Sequence, residues 1–310
     1  MLLDEIQTRS PSFAEVLRIV RRVAQTDASI LIAGETGSGK DFIAELIHDA
    51  SPRRSRPLLK IDCASIPASL AESELFGYEK GAFSDASEPK VGKLQIANGS
   101  TLYFDGINHL PATVQSKLLR FVQERVVEPL GSTQSVHVDC RIIASCSLPL
   151  KICLKEEQLR EDLYYRLSAA TIEIPALRER EQDVESIAIS ALSQFNEKYR
   201  KNSEFTSEAL QFLRSYHWPG NIRELMNVVE HAVIHAGESI APSDLILSDV
   251  VSHPQFLSHA ADRQMSLEDL EKLYIAEVLR KTRGHLGNAA EILKVNRKTL
   301  LMKRRKYGLE

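Results

Sequence analysis

Short apolar runs alternate with amphipathic stretches over the first 180 residues. Ile30–Ala33, Leu58–Asp62, Thr101–Asp105, Arg141–Ser145 and Thr171–Ile174 are four or five residues long, bounded by polar or turn residues, and read as strands. Between them the apolar positions fall at helical spacing, as in Asp41–Ala50. Strand and helix in alternation predict an α/β domain, a parallel sheet flanked by helices. From Asp183 to Ala236 the period is helical with no strand signal, which predicts a small helical subdomain. Residues 241–265 hold Pro242, Pro254 and many Ser and His without periodicity, and read as a linker. Ser266 and Asp269 then form the pattern of a capping box for a helix to about Arg280. Asn288–Lys294, a turn at Val295-Asn296 and a basic helix from Arg297 complete the outline of a helix-turn-helix. The expected division is therefore 1–180, 181–240, linker 241–265, and 266–310.

The overall charge of −3 conceals an asymmetry. From Arg280 to Glu310 there are ten Lys or Arg and two acidic residues, +8, so the remaining 29 basic and 40 acidic residues give −11. A basic module at the end of an acidic chain points to a polyanion partner there. Arg297, Lys298, Thr299, Lys303 and Arg304 are the candidate contacts to double-stranded DNA. No apolar run is long enough to span a membrane, and no signal-peptide pattern opens the chain, so a cytoplasmic location without membrane partners is expected. The cysteines Cys63, Cys140, Cys146 and Cys153 have no metal-ligand spacing and read as buried free thiols in a reducing compartment.

One segment carries specific chemistry. Gly34-Glu35-Thr36-Gly37-Ser38-Gly39-Lys40-Asp41 joins the first strand to the first helix of the alternation. Its glycines allow successive N–H groups to turn inward around phosphate oxygens, the helix N-terminus adds partial positive charge, and Lys40 supplies a point charge for the outer phosphates. Asp105 ends an apolar strand, and its hard oxygens suit Mg held through water.

With these residues in view, the chain resembles the bacterial enhancer-binding proteins, AAA+ activators that work with the sigma-54 form of RNA polymerase. Besides the glycine loop, the resemblance rests on Glu74–Phe83, Arg160–Leu167, Pro175–Arg180, Trp218–Leu225 and Asn288–Leu309. It implies ATP and Mg as cofactors and a homo-oligomer between dimer and hexameric ring. DNA and RNA polymerase holoenzyme are the implied partners. It places Arg160 and Arg166 as trans-acting arginines reaching a neighbour's nucleotide, and Arg223 as the lid's sensor of phosphate, jobs suited to a planar permanent cation. Gly81, Ala82, Phe83, Ser84, Asp85 and Ala86 fall on the loop that engages sigma-54. Some relatives sense cyclic di-GMP; Arg9 has the chemistry for that, although an exposed arginine is its default reading.

The departures matter as much as the matches. The family's Walker B glutamate, which polarises the attacking water, is Gly106 here; the asparagine that switches it is Asp62; and the sensor I segment reads Ser145-Cys146-Ser147. Glycine has no side chain with which to accept a proton or orient water. Asp85 stands where the family's sigma-54 loop has glycine. The expectation is a DNA-binding regulator that binds ATP, hydrolyses it poorly and acts without sigma-54. A working sigma-54 ATPase is the alternative, with a cyclic-di-GMP-responsive member a further one. A chaperone or helicase loader is disfavoured by the loop around Ser84 and by the helix-turn-helix.

Overall fold

Five parallel strands form the central sheet of the computed structural model, which describes residues 3, 8–84, 86–147, 149–247, 265–282 and 285–307. They are β1 (Ile30–Ala33), β2 (Leu58–Asp62), β3 (Thr101–Asp105), β4 (Arg141–Cys146) and β5 (Ala170–Glu173), in the order β2-β3-β4-β1-β5. The central strands β1 and β4 are buried along their whole length, which accounts for their unbroken apolar character. One face packs against α1 (Pro11–Ala24) and α2 (Lys40–Asp49) through Val20, Ile43, Ile47 and Ile143. The opposite face is covered by α3 (Ala112–Glu124), α4 (Leu150–Lys155) and α5 (Glu161–Leu167), with Phe104, Leu118, Phe121 and Leu163 at its centre.

A second core lies in the helices α6 (Glu181–Tyr199), α7 (Ser207–Ser215) and α8 (Asn221–His235). Trp218 anchors it, with no exposed surface and its indole N–H donated to the Leu213 carbonyl at 2.9 Å. Two features differ from the sequence expectation. Glu204–Phe205 and Ser239–Ile240 pair as a two-residue parallel ribbon within the helical part, too short to show periodicity. The packed chain also runs past residue 241: Leu245 is buried and Leu247 packs beside it against the lid core. The rest of the expected linker, 248–264, lies outside the described residues.

The contacts divide the chain into two compact units, 1–247 and 248–310. The second contains α9 (Leu267–Lys281), α10 (Leu286–Ile292) and α11 (Arg297–Lys306) around Ile275, Val278, Ala289 and Leu300. The capping box is present: the Asp269 N–H donates to Ser266 Oγ (3.1 Å) and the Ser266 N–H to Asp269 Oδ2 (3.2 Å). Asn296 caps α11, its Oδ1 accepting the Thr299 N–H at 2.7 Å. Among the described residues no helix is long and apolar enough to cross a membrane.

Candidate nucleotide cleft and DNA-binding helices

The glycine loop runs from the end of β1 to the start of α2, turning at Gly37 (φ +78°) and Gly39 (φ +103°). Gly37 is required on two counts. Its φ is left-handed, and a Cβ there would stand 2.5 Å from the Gly220 carbonyl oxygen. Lys40 is buried, its ammonium donating to the carbonyls of Gly34 (2.8 Å) and Glu35 (3.0 Å). Burial lowers its pKa, against the pull of Asp105 and Asp41.

Opposite the loop, β3 delivers Asp105. Its Oδ1 accepts from Ser145 Oγ at 2.9 Å, and that hydroxyl accepts the Gly106 N–H at 2.8 Å. The Tyr103 hydroxyl lies 2.9 Å from Asp41 and 3.3 Å from Asp105, so its proton belongs to the shorter contact. Lys60 bonds Asp41 and stands 3.6 Å from Asp105. Burial alone would lower the Lys60 pKa; the two carboxylates outweigh it and leave it raised. Lys60 and Tyr103 escape a motif reading, and the one signal for Lys60 is a cation inside an apolar strand.

Gly106 is left-handed (φ +71°, ψ 52°), and a Cβ built on it would fall 2.7 Å from Cδ2 of His109. The space a side chain at 106 would enter is bordered by the His109 imidazole, which also lines the cleft. Asp62 Oδ1 accepts the N–H groups of Ala64 (3.1 Å) and Ser65 (3.3 Å), so that carboxylate closes its own turn. Asp62, Asp105, Gly106 and His109, together with Thr36, Asp41, Ser147 and Arg223, line a cleft of about 520 Å³.

The lid meets the glycine loop directly. Asn221, at φ +54°, donates from Nδ2 to the Thr36 carbonyl (3.1 Å) and Glu35 Oε2 (3.0 Å), and its Oδ1 accepts the Leu177 N–H (2.8 Å). The next residue, Ile222, donates its N–H to the Gly37 carbonyl at 2.9 Å. The glycine-loop pattern groups Glu35 with the phosphate ligands, but its carboxylate turns to the lid side, taking a fork from Arg178 at 2.8 and 2.5 Å. Buried Arg180 donates to the Ser38 carbonyl at 2.7 Å; burial pushes its pKa down to about 10 against the pull of Asp183. Arg223 is exposed at the cleft wall. Of the predicted loop residues, Thr36, Gly37, Gly39, Lys40 and Asp41 face this space, while Gly34 and Ser38 support the loop from behind.

Arg160 and Arg166 both lie on the exposed side of α5 or its cap, and Arg160 is paired with Asp162 in its own chain (2.7 Å). The segment Gly81–Ala86 tops a hairpin whose strands Gly77–Tyr78 and Lys90–Val91 are antiparallel. The Gly81 N–H donates to the Ala86 carbonyl (2.8 Å), and half-exposed Phe83 stands edge-on to Tyr78. Ala82 is backed by Gly131; Asp85 lies outside the described residues. In the second unit Arg297 and Lys298 are exposed at the start of α11. Lys303, also expected to face DNA, is half-buried and bonded to Glu271, which takes the Tyr307 hydroxyl as well (2.7 Å). Thr299 donates its hydroxyl back to Asn296, and Arg304 is half-buried. Arg9 is exposed, with its backbone N–H held by Asp183 at 2.8 Å.

A five-stranded parallel sheet carrying a glycine loop, a carboxylate-ended strand and a helical lid defines an AAA+ protein. Comparison with known proteins narrows the class. Residues 6–173 match the Sigma-54 interaction domain, 178–263 the AAA+ ATPase lid domain, and 266–307 the bacterial regulatory protein, Fis family. The chain is 39% identical to the alginate biosynthesis transcriptional regulatory protein AlgB of Pseudomonas aeruginosa, covering 99% of this chain and 68% of that protein. It is 42% identical to the transcriptional regulatory protein ZraR of Escherichia coli K12, covering 95% and 67%. The crystal structure of NtrX from Brucella abortus in complex with ATP superposes with a TM-score of 0.71 at 31% identity, over 98% of this chain and 69% of that one. A likeness to Hsp104 at 18% identity and TM-score 0.51 concerns the fold alone. The chain belongs to the bacterial enhancer-binding proteins, AAA+ transcription regulators with a Fis-type DNA-binding module.

Proposed function

We propose that this chain binds ATP with Mg in the cleft between the glycine loop and the lid, uses it as a conformational and assembly element, and hydrolyses it slowly. The observation that carries the reading is Gly106: the position after Asp105, where the family has a second carboxylate, is a left-handed glycine beside His109. The cradle itself fits a nucleoside triphosphate. Gly37 and Gly39 have conformations that turn backbone donors inward, Lys40 stands on loop carbonyls it can exchange for phosphate oxygens, and Asp105 offers oxygens to hydrated Mg. Mg would neutralise phosphate charge; Lys40 and Arg223 would hold the outer phosphates. Exposed Arg166, and Arg160 on exchanging Asp162 for a phosphate, would reach a neighbouring subunit's nucleotide, which would let ATP favour assembly without being consumed.

Positioned acid–base assistance is worth about 10²–10⁴-fold in rate, so its loss should spare binding and slow turnover. Transcription control then runs through the Fis-type module on DNA, independently of sigma-54 remodelling. The rival reading, a working sigma-54 ATPase, draws support from the hairpin that displays Phe83 and from the otherwise complete cradle. Calorimetry beside steady-state phosphate release separates the two. Tight ATP binding, lost in Lys40→Ala, with little release is expected; vigorous release from the unmodified chain, or no binding at all, sinks the proposal.

A further inference from the structure

Cys146 and Cys153 are both fully buried, yet their sulfurs are 2.7 Å apart, inside van der Waals contact and within about 1 Å of the bonded length near 2.05 Å. They lie at the end of β4 and in the middle of α4. We infer that this pair is a reversible disulfide site through which a two-electron oxidant such as a peroxide acts on the nucleotide cleft.

The backbone of each cysteine leads to a different functional element. The Cys146 carbonyl accepts the N–H of Gly34, the first residue of the glycine loop, at 3.3 Å, and Ser147 beside it lines the cleft. The Cys153 carbonyl accepts the N–H groups of Gln158 (2.9 Å) and Leu159 (3.2 Å), the turn that leads to Arg160. Drawing the two sulfurs together therefore adjusts the loop on one side and the arginine-bearing turn on the other.

The step balances. One thiolate attacks hydrogen peroxide, giving a sulfenic acid and one water; the second attacks that sulfur, forming the S–S bond and releasing a second water. Both thiol protons and the two electrons of the pair end in the two waters, and a thiol reductant reverses the change. Transient bridges of this kind suit a reducing compartment, where persistent ones are rare.

The effect on the cleft rests on its reading as a nucleotide site; the bridge itself does not. The purified 310-residue chain is reduced, desalted and exposed to hydrogen peroxide, then denatured and labelled with a maleimide. Two of the four thiols should be lost, with peptide mapping joining Cys146 to Cys153 and dithiothreitol restoring both. Retention of all four, or a link elsewhere, overturns the bridge. ATP affinity should shift by about tenfold or more between the two states, and Cys153→Ala should abolish the shift. Equal affinity in both states overturns the coupling, whereas no ATP binding in either state fails the nucleotide reading and leaves the thiol count to decide the bridge. Should Cys153→Ala not fold, the reduced and oxidised wild-type comparison decides alone.

Discussion

Gly106 and His109 form a local pair, three residues apart around a single tight turn, so a side chain introduced at 106 meets the ring at 109. A glutamate at 106 would take a left-handed backbone and push its Cβ against the imidazole. Gly106→Glu alone should destabilise the chain by about 1–3 kcal/mol and restore little hydrolysis. Adding His109→Ala removes the obstruction, so the double variant should turn over ATP faster than either single one. Thermal melts and phosphate release on the three variants check this; full recovery in Gly106→Glu alone would show that the ring is no barrier. The missing carboxylate was legible in the sequence because a motif sets its place. His109 was not, because its relation to Gly106 arises from a turn geometry that spacing does not reveal.

Elements divide along the same line. The strands could be read to within a residue or so, since short apolar runs ending at polar or turn residues leave little choice of boundary. The hairpin that carries Gly81–Ala86 could not, because two-residue strands have no period and their side chains Tyr78, Lys90 and Val91 are partly or wholly exposed. The Fis-type module was visible through the Ser266–Asp269 capping pattern and the turn at Val295-Asn296, whereas the capping by Asn296 and the inward pairing of Lys303 with Glu271 depend on the folded geometry. The junction of lid and glycine loop was hidden too, although Asn221 sits in a recognisable Trp-Pro-Gly-Asn run. Asn221→Ala removes three hydrogen bonds and leaves a left-handed alanine; the expected loss is about 2–4 kcal/mol, with weaker ATP binding. Asn221→Gly tolerates the backbone but still lacks the hydrogen bonds, so it should recover only part of that stability. Denaturant unfolding of both variants measures the split, and equal stability of wild type and Asn221→Ala would dismiss the contact as incidental.

At the scale of the whole chain, the acidic body and the basic C-terminal segment predict where polyanion affinity resides. The 310-residue chain should bind a palindromic duplex with a steep salt dependence, and residues 1–247 should bind weakly. Arg297→Ala or Lys298→Ala should each weaken binding and, where a phosphate contact is lost, flatten the logarithmic salt slope by about 1. Identical affinity and slope for the two chains would move DNA binding out of the Fis-type module. The unmodified chain should also fail to form ATP-dependent open complexes at a sigma-54 promoter; robust activation in that assay would establish the rival reading.

The hydrogen bond from Ile222 to Gly37 has a mechanical consequence. It fastens the first turn of α8 to the glycine loop, while the whole 15-residue helix runs about 22 Å through the lid. A rigid rod held at one end works as a lever, so a tilt of a few degrees at Gly37 becomes a displacement of an ångström or so at His235. Slow hydrolysis would leave that lever in its ATP-set position, turning a motor part into a long-lived pointer to the nucleotide it holds.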